Sequence, residues 1–512
     1  MARALLINPS YQDTYGSSKT GIVNPIYPTL GLLTIAASAE QRGHHIEVLD
    51  LSSERYDYRL VEERVRAFRP DVVGVTATTP LMNQMRDISV LVKAISAGII
   101  MVAGGPHISA LPLESLQESR LDVAVVGEGE LTFAELMDGR PLGHIRGIHF
   151  RDGDRIRATA PRPFVQNLDD LPMPAWHLYD AAAYKYKVSR LLARRRPLAM
   201  AEFSRGCIYQ CDFCASKLST GRGYRKKSPE RCAAEVRLLH QLGYREFQLA
   251  DDIFTTDRKW AMAVCEAIIA SGVDMAWSCM NGIRVESAEE ELFRRMRRAG
   301  CYRVSFGFES GNDEVLETAG KGGQATVERA RQAVALARSA GIETNGYFLL
   351  GLSTDTEASM RDTIKLARAL PLDSMKFSVA VAFPGTAMFK AYHQTGLVRS
   401  YDWDDYSIYT PRPLFVHERI SFEAIQRCMR DAYRRAVTLN PRFILRRLWR
   451  GIRTFELFID AYYFFRFMRA TAVNADARSA RYFAPGRWPT HDFERGAVSY
   501  AEVRTARQRP ST

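Results

Sequence analysis

Short aliphatic runs alternate with stretches of helical spacing through the first part of the chain. ALLIN (4–8), HIEVLD (45–50), VVGVTA (72–77), IIMVAG (99–104) and DVAVVG (122–127) read as strands. Thr29 to Arg42, Arg59 to Phe68, Leu81 to Ala97 and Glu130 to Met137 read as the helices between them. Five strands with four crossovers predict an open, doubly wound α/β unit of flavodoxin-like (Rossmann-like) type, with its ligand site beyond the carboxyl ends of the strands. GIHFRDGDRIRAT (147–159) sets Asp-Gly between alternating residues, a hairpin signal, and NLDDLPMPAW (167–176) reads as a proline-punctuated linker. From Leu198 to Phe383 a second alternating set follows: AMAEFS, EFQLAD, MAWSCM, RVSFGFE, TNGYFLLG and KFSVAVAF, with helices between. Six such repeats make a partial (βα)6 barrel, whose chemistry belongs at the carboxyl ends of its strands. The expected organisation is 1–145 for the first unit, 146–195 for hairpin and linker, 196–415 for the barrel and 416–512 for a mainly helical carboxyl-terminal region.

Composition sharpens this picture in two places. The chain of 512 residues is long enough for about two to four domains, each burying a core of its own, and its globular composition excludes a disordered or collagenous chain. No apolar run reaches the roughly 18 to 20 residues of a membrane span, and MARALLINPS already reads as strand and turn, so a cytoplasmic protein is expected. The formal charge is +12, but residues 416–512 hold 19 Arg, no Lys and 9 acidic residues and so account for +10 of it. The basic balance therefore belongs to the tail, and no recognised nucleic-acid-binding motif accompanies it.

The cysteines are the second place. Of eight, three crowd into Cys207-Ile-Tyr-Gln-Cys211-Asp-Phe-Cys214, and residues 1–206 contain none. In a reducing compartment such clustering points to a metal centre rather than to disulfides. A structural zinc site wants four closed ligands. Three thiolates leave a cubane [4Fe-4S] cluster one iron short of full cysteine ligation, and an open iron can chelate a substrate or cofactor.

With that motif the chain resembles the radical S-adenosylmethionine (SAM) enzymes. The resemblance implies that Cys207, Cys211 and Cys214 bind the cluster and that its open iron takes the amino and carboxylate groups of SAM. Reductive cleavage then yields a 5′-deoxyadenosyl radical, with electrons from an external donor such as flavodoxin or ferredoxin. It also implies SAM contacts for Phe213, for Asp251 and Asp252 after the second barrel strand, for Glu309 and Ser310 after the fourth, and for Gly351 after the fifth. Taken alone, each carboxylate could equally be a helix cap or a surface ion pair.

The first unit is similar to the cobalamin-binding domain fused to many of these enzymes. Its pattern runs from Tyr27-Pro28-x2-Gly31-Leu32 through Arg42-Gly43-His44 and Asp50. It continues in Thr76-Ala77-Thr78-Thr79, Gly104-Gly105-Pro106-His107 and Gly127-Glu128-Gly129-Glu130. The resemblance implies cobalamin contacts for Thr76, Thr78, Gly104, Gly105, His107, Gly127 and Glu128. Small residues at consecutive strand ends would let a large flat ligand approach the backbone, although tight turns would explain any one of them. The loop after the first strand, Asn8-Pro9-Ser10-Tyr11-Gln12, lacks the histidine that usually ligates cobalt from below.

Two activities share this architecture: methyl transfer from methylcobalamin to an unactivated carbon or phosphorus of a small molecule, and cyclisation or rearrangement without net methyl transfer. A methylthiotransferase would need three further cysteines before residue 207, and a noncatalytic sensor would leave the open iron idle. In the tail, Arg442, Arg446, Arg450 and Arg453 form one stripe of a helix within 441–469, and Leu445, Leu448, Ile452, Phe455 and Ile459 form another. Four roles stay open for it: packing on the barrel with its arginines solvated, peripheral contact with a membrane, contact with nucleic acid, the least favoured because no binding motif accompanies the charge, or closing the barrel mouth with help from Tyr462, Tyr463, Phe464 and Phe465. The stretch from Arg478 onward is expected to be mobile.

Overall fold

The computed structural model describes residues 1–11, 28–184, 193–321, 323–408, 410, 412–454 and 456–469. Gln12, Tyr27, Phe455 and the stretch from Arg478 lie outside the described residues.

The first sheet has the predicted strands β1 (Arg3–Asn8), β2 (His45–Asp50), β3 (Val72–Thr76), β4 (Ile100–Gly104) and β5 (Val123–Val125), all parallel. They are apolar and covered by helices on both faces, as parallel strands require. Two short helices, Pro106–Ala110 and Pro112–Gln117, join β4 to β5 where the pattern had shown none. The hairpin forms as β6 (Ile148–Asp152) and β7 (Arg155–Ala158), but it does not stand apart from the first sheet. β6 pairs antiparallel with β5, so the order is β2-β1-β3-β4-β5-β6-β7. The switch point falls between β1 and β3, which sets a ligand crevice above their carboxyl ends.

The second sheet is built from β8 (Leu198–Ala201), β11 (Glu246–Leu249), β12 (Ala276–Ile283), β13 (Cys301–Glu309), β14 (Glu343–Leu350) and β15 (Ser374–Val379). They run parallel in sequence order, an open six-stranded barrel wall. A small ribbon of β9 (Ser204–Arg205) and β10 (Arg225–Lys226) interrupts this sequence after β8. Helices start where the sequence places a cap: Ser228 receives the Arg231 N–H and Asp257 that of Trp260. Beyond Ser421 the chain is helical over Phe422–Ala432, Pro441–Arg453 and Leu457–Arg469.

The expectation of one core per unit needs correction. One apolar cluster runs from Ile7, Met85 and Ile108 in the first unit to Met388, Trp403 and Phe415 after β15. Asn83 also donates to Asp402 at 3.0 Å across the same seam. The segment after β15 thus straps the first sheet to the barrel.

Candidate active site

The cysteine loop starts where β8 is cut short. Asp251, at the end of β11, receives the Phe203 N–H at 2.7 Å and the Ser204 hydroxyl at 2.5 Å, and this turns the chain out of the sheet into the ribbon. The three cysteines lie between the ribbon's two strands. Gly206 sits at φ +90°, and a Cβ there would stand 2.2 Å from the Gly223 carbonyl oxygen. Its N–H donates to Asp252 at 3.2 Å, and the same carboxylate accepts the Thr220 hydroxyl at 2.7 Å. Both aspartates therefore serve the loop. Asp251 is fully buried, with its carboxyl pushed up to about 7 by that burial, so the sequence-based expectation of a SAM contact is corrected to a positioning role. Asp252 is half-buried at the mouth.

All three thiols are partly exposed. Burial, reinforced by Asp252 and by the other two thiols, pushes Cys207 up to about 11. Burial also raises Cys211, against the opposing pull of Lys321 and Arg284. Arg284 stacks 3.5 Å over the Tyr209 ring, bonds Glu286, and brings Nη1 within 4.0 Å of the Cys211 sulfur. Lys321 donates to the Gly307 carbonyl at 2.9 Å and pairs with Glu309 at 3.2 Å. Glu309 is held at φ +60° where β13 ends. Neither Arg284 nor Lys321 carries a motif that sequence reading could have used; the barrel topology delivers them. No three Cys, His, Asp or Glu side chains converge on a single-ion geometry among the described residues. A cubane has no such requirement, because it spreads its thiolates over three different irons.

The remaining expected SAM residues divide. Phe213 is half-buried against the apolar seam. Ser310 is buried, beside the Thr363 hydroxyl at 3.3 Å, and accepts the Asn312 N–H at 3.2 Å. Gly351 lies at φ +86°, donates its N–H to Asp355 at 3.0 Å, and would thrust a Cβ to 2.8 Å from Ile425. Both shape turns at the ends of their strands, with the Ser310 hydroxyl and the Gly351 N–H engaged locally.

Above the first sheet lies a cavity of about 340 Å³. Thr76, Gly104, Gly105, Gly127 and Glu128 line one side, and Glu202, Arg205, Thr220 and Ala250 from the barrel line the other. Gly105 is at φ +107°, and a Cβ there would meet the Ala77 carbonyl oxygen at 2.8 Å. Two expected contacts do not line this cavity. His107 is 2% exposed, sits 3.2 Å from the Thr79 hydroxyl and packs edge-on against Trp403, and burial pushes it down to about 3. Thr78 lies beside Tyr11 instead.

Glu128 lines the cavity, but its carboxylate is committed to the domain junction. It takes Arg205 at 3.1 Å, Arg225 at 2.8 Å and the Val165 N–H at 2.8 Å. Arg205 also holds Glu130 at 2.7 Å and Glu202 at 2.6 Å. Sequence reading missed this buried cluster; its one signal was Arg205-Gly206 directly before Cys207.

Comparisons with known proteins match two separate parts of the chain to two families. Residues 21–137 match the B12 binding domain family, and residues 201–367 match the Radical SAM superfamily. An uncharacterized methyltransferase of Pyrococcus horikoshii is 32% identical over 418 residues, covering 80% of this chain and 88% of that protein. The anaerobic magnesium-protoporphyrin IX monomethyl ester cyclase of Cereibacter sphaeroides is 26% identical, covering 80% and 66%. Cytidylyl-2-hydroxyethylphosphonate methyltransferase of Streptomyces wedmorensis is 26% identical, covering 77% and 82%. Among solved structures, the radical S-adenosylmethionine methyltransferase TsrM from Kitasatospora setae, with tryptophan substrate and a SAM analog bound, has a similar fold. Its TM-score is 0.65 at 22% identity, over 78% of this chain and 77% of that one.

Proposed function

This chain belongs to the cobalamin-dependent radical SAM enzymes, and from that premise we propose that it is a methyltransferase acting on an unactivated carbon or phosphorus of a small molecule. The observation that carries the proposal is the single cavity lined both by the glycine-rich strand ends of the first sheet and by the residues flanking the cysteine loop. A corrin held at those strand ends would lie close to a cluster held by the cysteine loop. The 32% identity to a methyltransferase across 88% of its length supports methyl transfer as the outcome.

The residues present fit the implied groups. Cys207, Cys211 and Cys214 would hold a [4Fe-4S] cluster with one iron open for SAM, and cationic Arg284 and Lys321 favour thiolate at Cys211. Thr76, Gly104, Gly105 and Gly127 would take the corrin against bare backbone. No histidine lines the cavity among the described residues. When bound, the cofactors supply radical generation and a methyl group. The chain supplies the rest. Asp252 and Thr220 fix the loop at the mouth, Glu309 offers a carboxylate beside it, and the Arg205 cluster fixes the distance between the two sites.

A second reading, cyclisation or rearrangement without net methyl transfer, is favoured by the likeness to the ester cyclase. Methyl-labelled SAM, supplied anaerobically with candidate metabolites and an external electron donor such as flavodoxin or ferredoxin, separates the two. Label in the product is expected. 5′-Deoxyadenosine with an unlabelled, altered product would move the assignment to the second reading, and a chain that retains no corrinoid on reconstitution would remove both.

A further inference from the structure

The helix Pro441–Arg453 lies on the barrel the opposite way round from an ordinary amphipathic helix. Three of its five arginines, Arg446, Arg447 and Arg450, face inward. Arg450 is 6% exposed and reaches the floor of the barrel, where Nε meets Glu343 at 2.6 Å and Nη2 meets Glu456 at 2.8 Å. Arg447 donates to the Asp373 carbonyl at 3.2 Å, and Arg446 is half-buried near Asp373. Glu343 and Asp373 stand at the amino-terminal ends of β14 and β15, so this helix covers the end of the barrel opposite the cysteine loop. The helix packs on the barrel as expected, but of its arginine stripe Arg446 and Arg450 turn inward while Arg442 and Arg453 stay solvated, and closure of the mouth is excluded for it.

The apolar stripe is left facing water. Leu445 is 65% exposed, Trp449 68% and Ile452 56%, with Leu448 beside them. The next helix, Leu457–Arg469, extends the surface with Phe458 at 87% exposure, Tyr462 and Phe465. Apolar area of this extent on a soluble surface marks an interaction site. Arg442 and Arg453 border the stripe, also exposed, and residues 441–454 include five arginines and no acidic residue.

We propose that this face docks on an anionic phospholipid surface. Trp449, Tyr462 and the leucines would enter the headgroup boundary while Arg442 and Arg453 meet lipid phosphates, the pattern of an interfacial helix. None of the described helices is long and apolar enough to cross a membrane, so the contact is peripheral. A second copy of the chain is a poorer occupant, because it would bring two arginine-rich 441–454 segments, neither with an acidic residue, together.

The test is co-flotation of the full chain with vesicles of equal parts phosphatidylglycerol and phosphatidylcholine, against phosphatidylcholine alone. At least about tenfold more protein should float with the anionic vesicles, and high salt should reduce the difference. The double variant Leu445→Glu/Trp449→Glu should lose that excess with its circular dichroism and iron content unchanged, since both side chains are exposed. The wild type should also show a blue shift of tryptophan emission on anionic vesicles that Trp449→Phe abolishes. Equal flotation with both vesicle types, a double variant that still floats, a dimer in solution that the double variant dissolves, or tighter binding to duplex nucleic acid than to anionic vesicles would each overturn the proposal.

Discussion

Arg205, two residues before the first cysteine of the loop, donates Nη2 to Glu130 at 2.7 Å, so the barrel's cysteine loop and the last glycine-rich turn of the first sheet are held by one buried guanidinium. Its other nitrogens engage Glu128 and Glu202, and all four side chains are largely shielded from water. The fork of five donors explains why an arginine stands there.

Arg205→Ala should therefore destabilise the chain by about 3 to 5 kcal/mol, because it leaves buried carboxylates without their counter-charge. Arg205→Lys should recover part of the loss, as a point charge cannot serve three carboxylates at once. Urea denaturation of the two variants checks this, and a loss under about 1 kcal/mol for the alanine variant would contradict the role assigned to the junction.

Replacing Cys207, Cys211 or Cys214 by Ala should reduce the iron bound after anaerobic reconstitution and abolish 5′-deoxyadenosine formation. Cys232→Ala and Cys265→Ala, both buried in the barrel core, should leave iron binding intact. Iron analysis and product chromatography read the two outcomes. A triple variant that still cleaves SAM would refute the ligand assignment.

Gly206→Ala tests the loop geometry without touching a thiol. A methyl group 2.2 Å from the Gly223 carbonyl oxygen at φ +90° forces the ribbon to shift. The strain should cost on the order of 1 to 3 kcal/mol and lower the iron content of the reconstituted protein. Gly223→Ala, where a Cβ meets nothing within 4 Å, is the control and should behave as wild type.

Asp251 carries a pH signature. Burial holds its carboxyl up to about 7, above the ordinary 3.8, so between these values the folded chain keeps a proton that the unfolded chain has released. Its contribution is fully present below the unfolded value and is lost as pH rises through the folded one, at up to about 1.4 kcal/mol per pH unit. Asp251→Asn still offers an oxygen to the Phe203 N–H, and should flatten the fall in stability between pH 4 and 7. Glu246, raised to about 7 by burial in the same way, should leave a residual slope. Denaturation midpoints across that range decide it.

Glu343→Ala should loosen the floor of the barrel. Arg194, Arg303 and Arg450 converge on this carboxylate at 2.5, 3.0 and 2.6 Å, which holds it well below the usual carboxylate range. Its removal should cost several kcal/mol and speed proteolysis within 441–469, because Arg450 loses the partner that anchors the helix. Equal protease resistance would contradict the anchoring.

The sequence by itself determined the local matters. Alternating apolar runs located β1 to β5 and the six barrel strands to within a few residues, because burial on a strand imposes its own period. The spacing of Cys207, Cys211 and Cys214 pointed to a metal centre on one loop, because three thiols within eight residues need no tertiary information to be neighbours. Gly104, Gly105 and Gly127 marked a surface open to close backbone approach.

What depended on the approach of distant segments only the tertiary structure decided. Asp251 was chemically eligible as a ligand residue, yet the chain spends it on Phe203 and Ser204; His107 became a core residue against Trp403, nearly 300 positions away. Arg284 and Lys321 reached Cys211 through the closure of the barrel. The helix Pro441–Arg453 shows the limit most plainly. Its periodicity gave two faces but not which would turn inward, because the inward face was chosen by a charge, Glu343, a hundred residues away. A period records that a helix has sides; the neighbour it meets decides which side is buried.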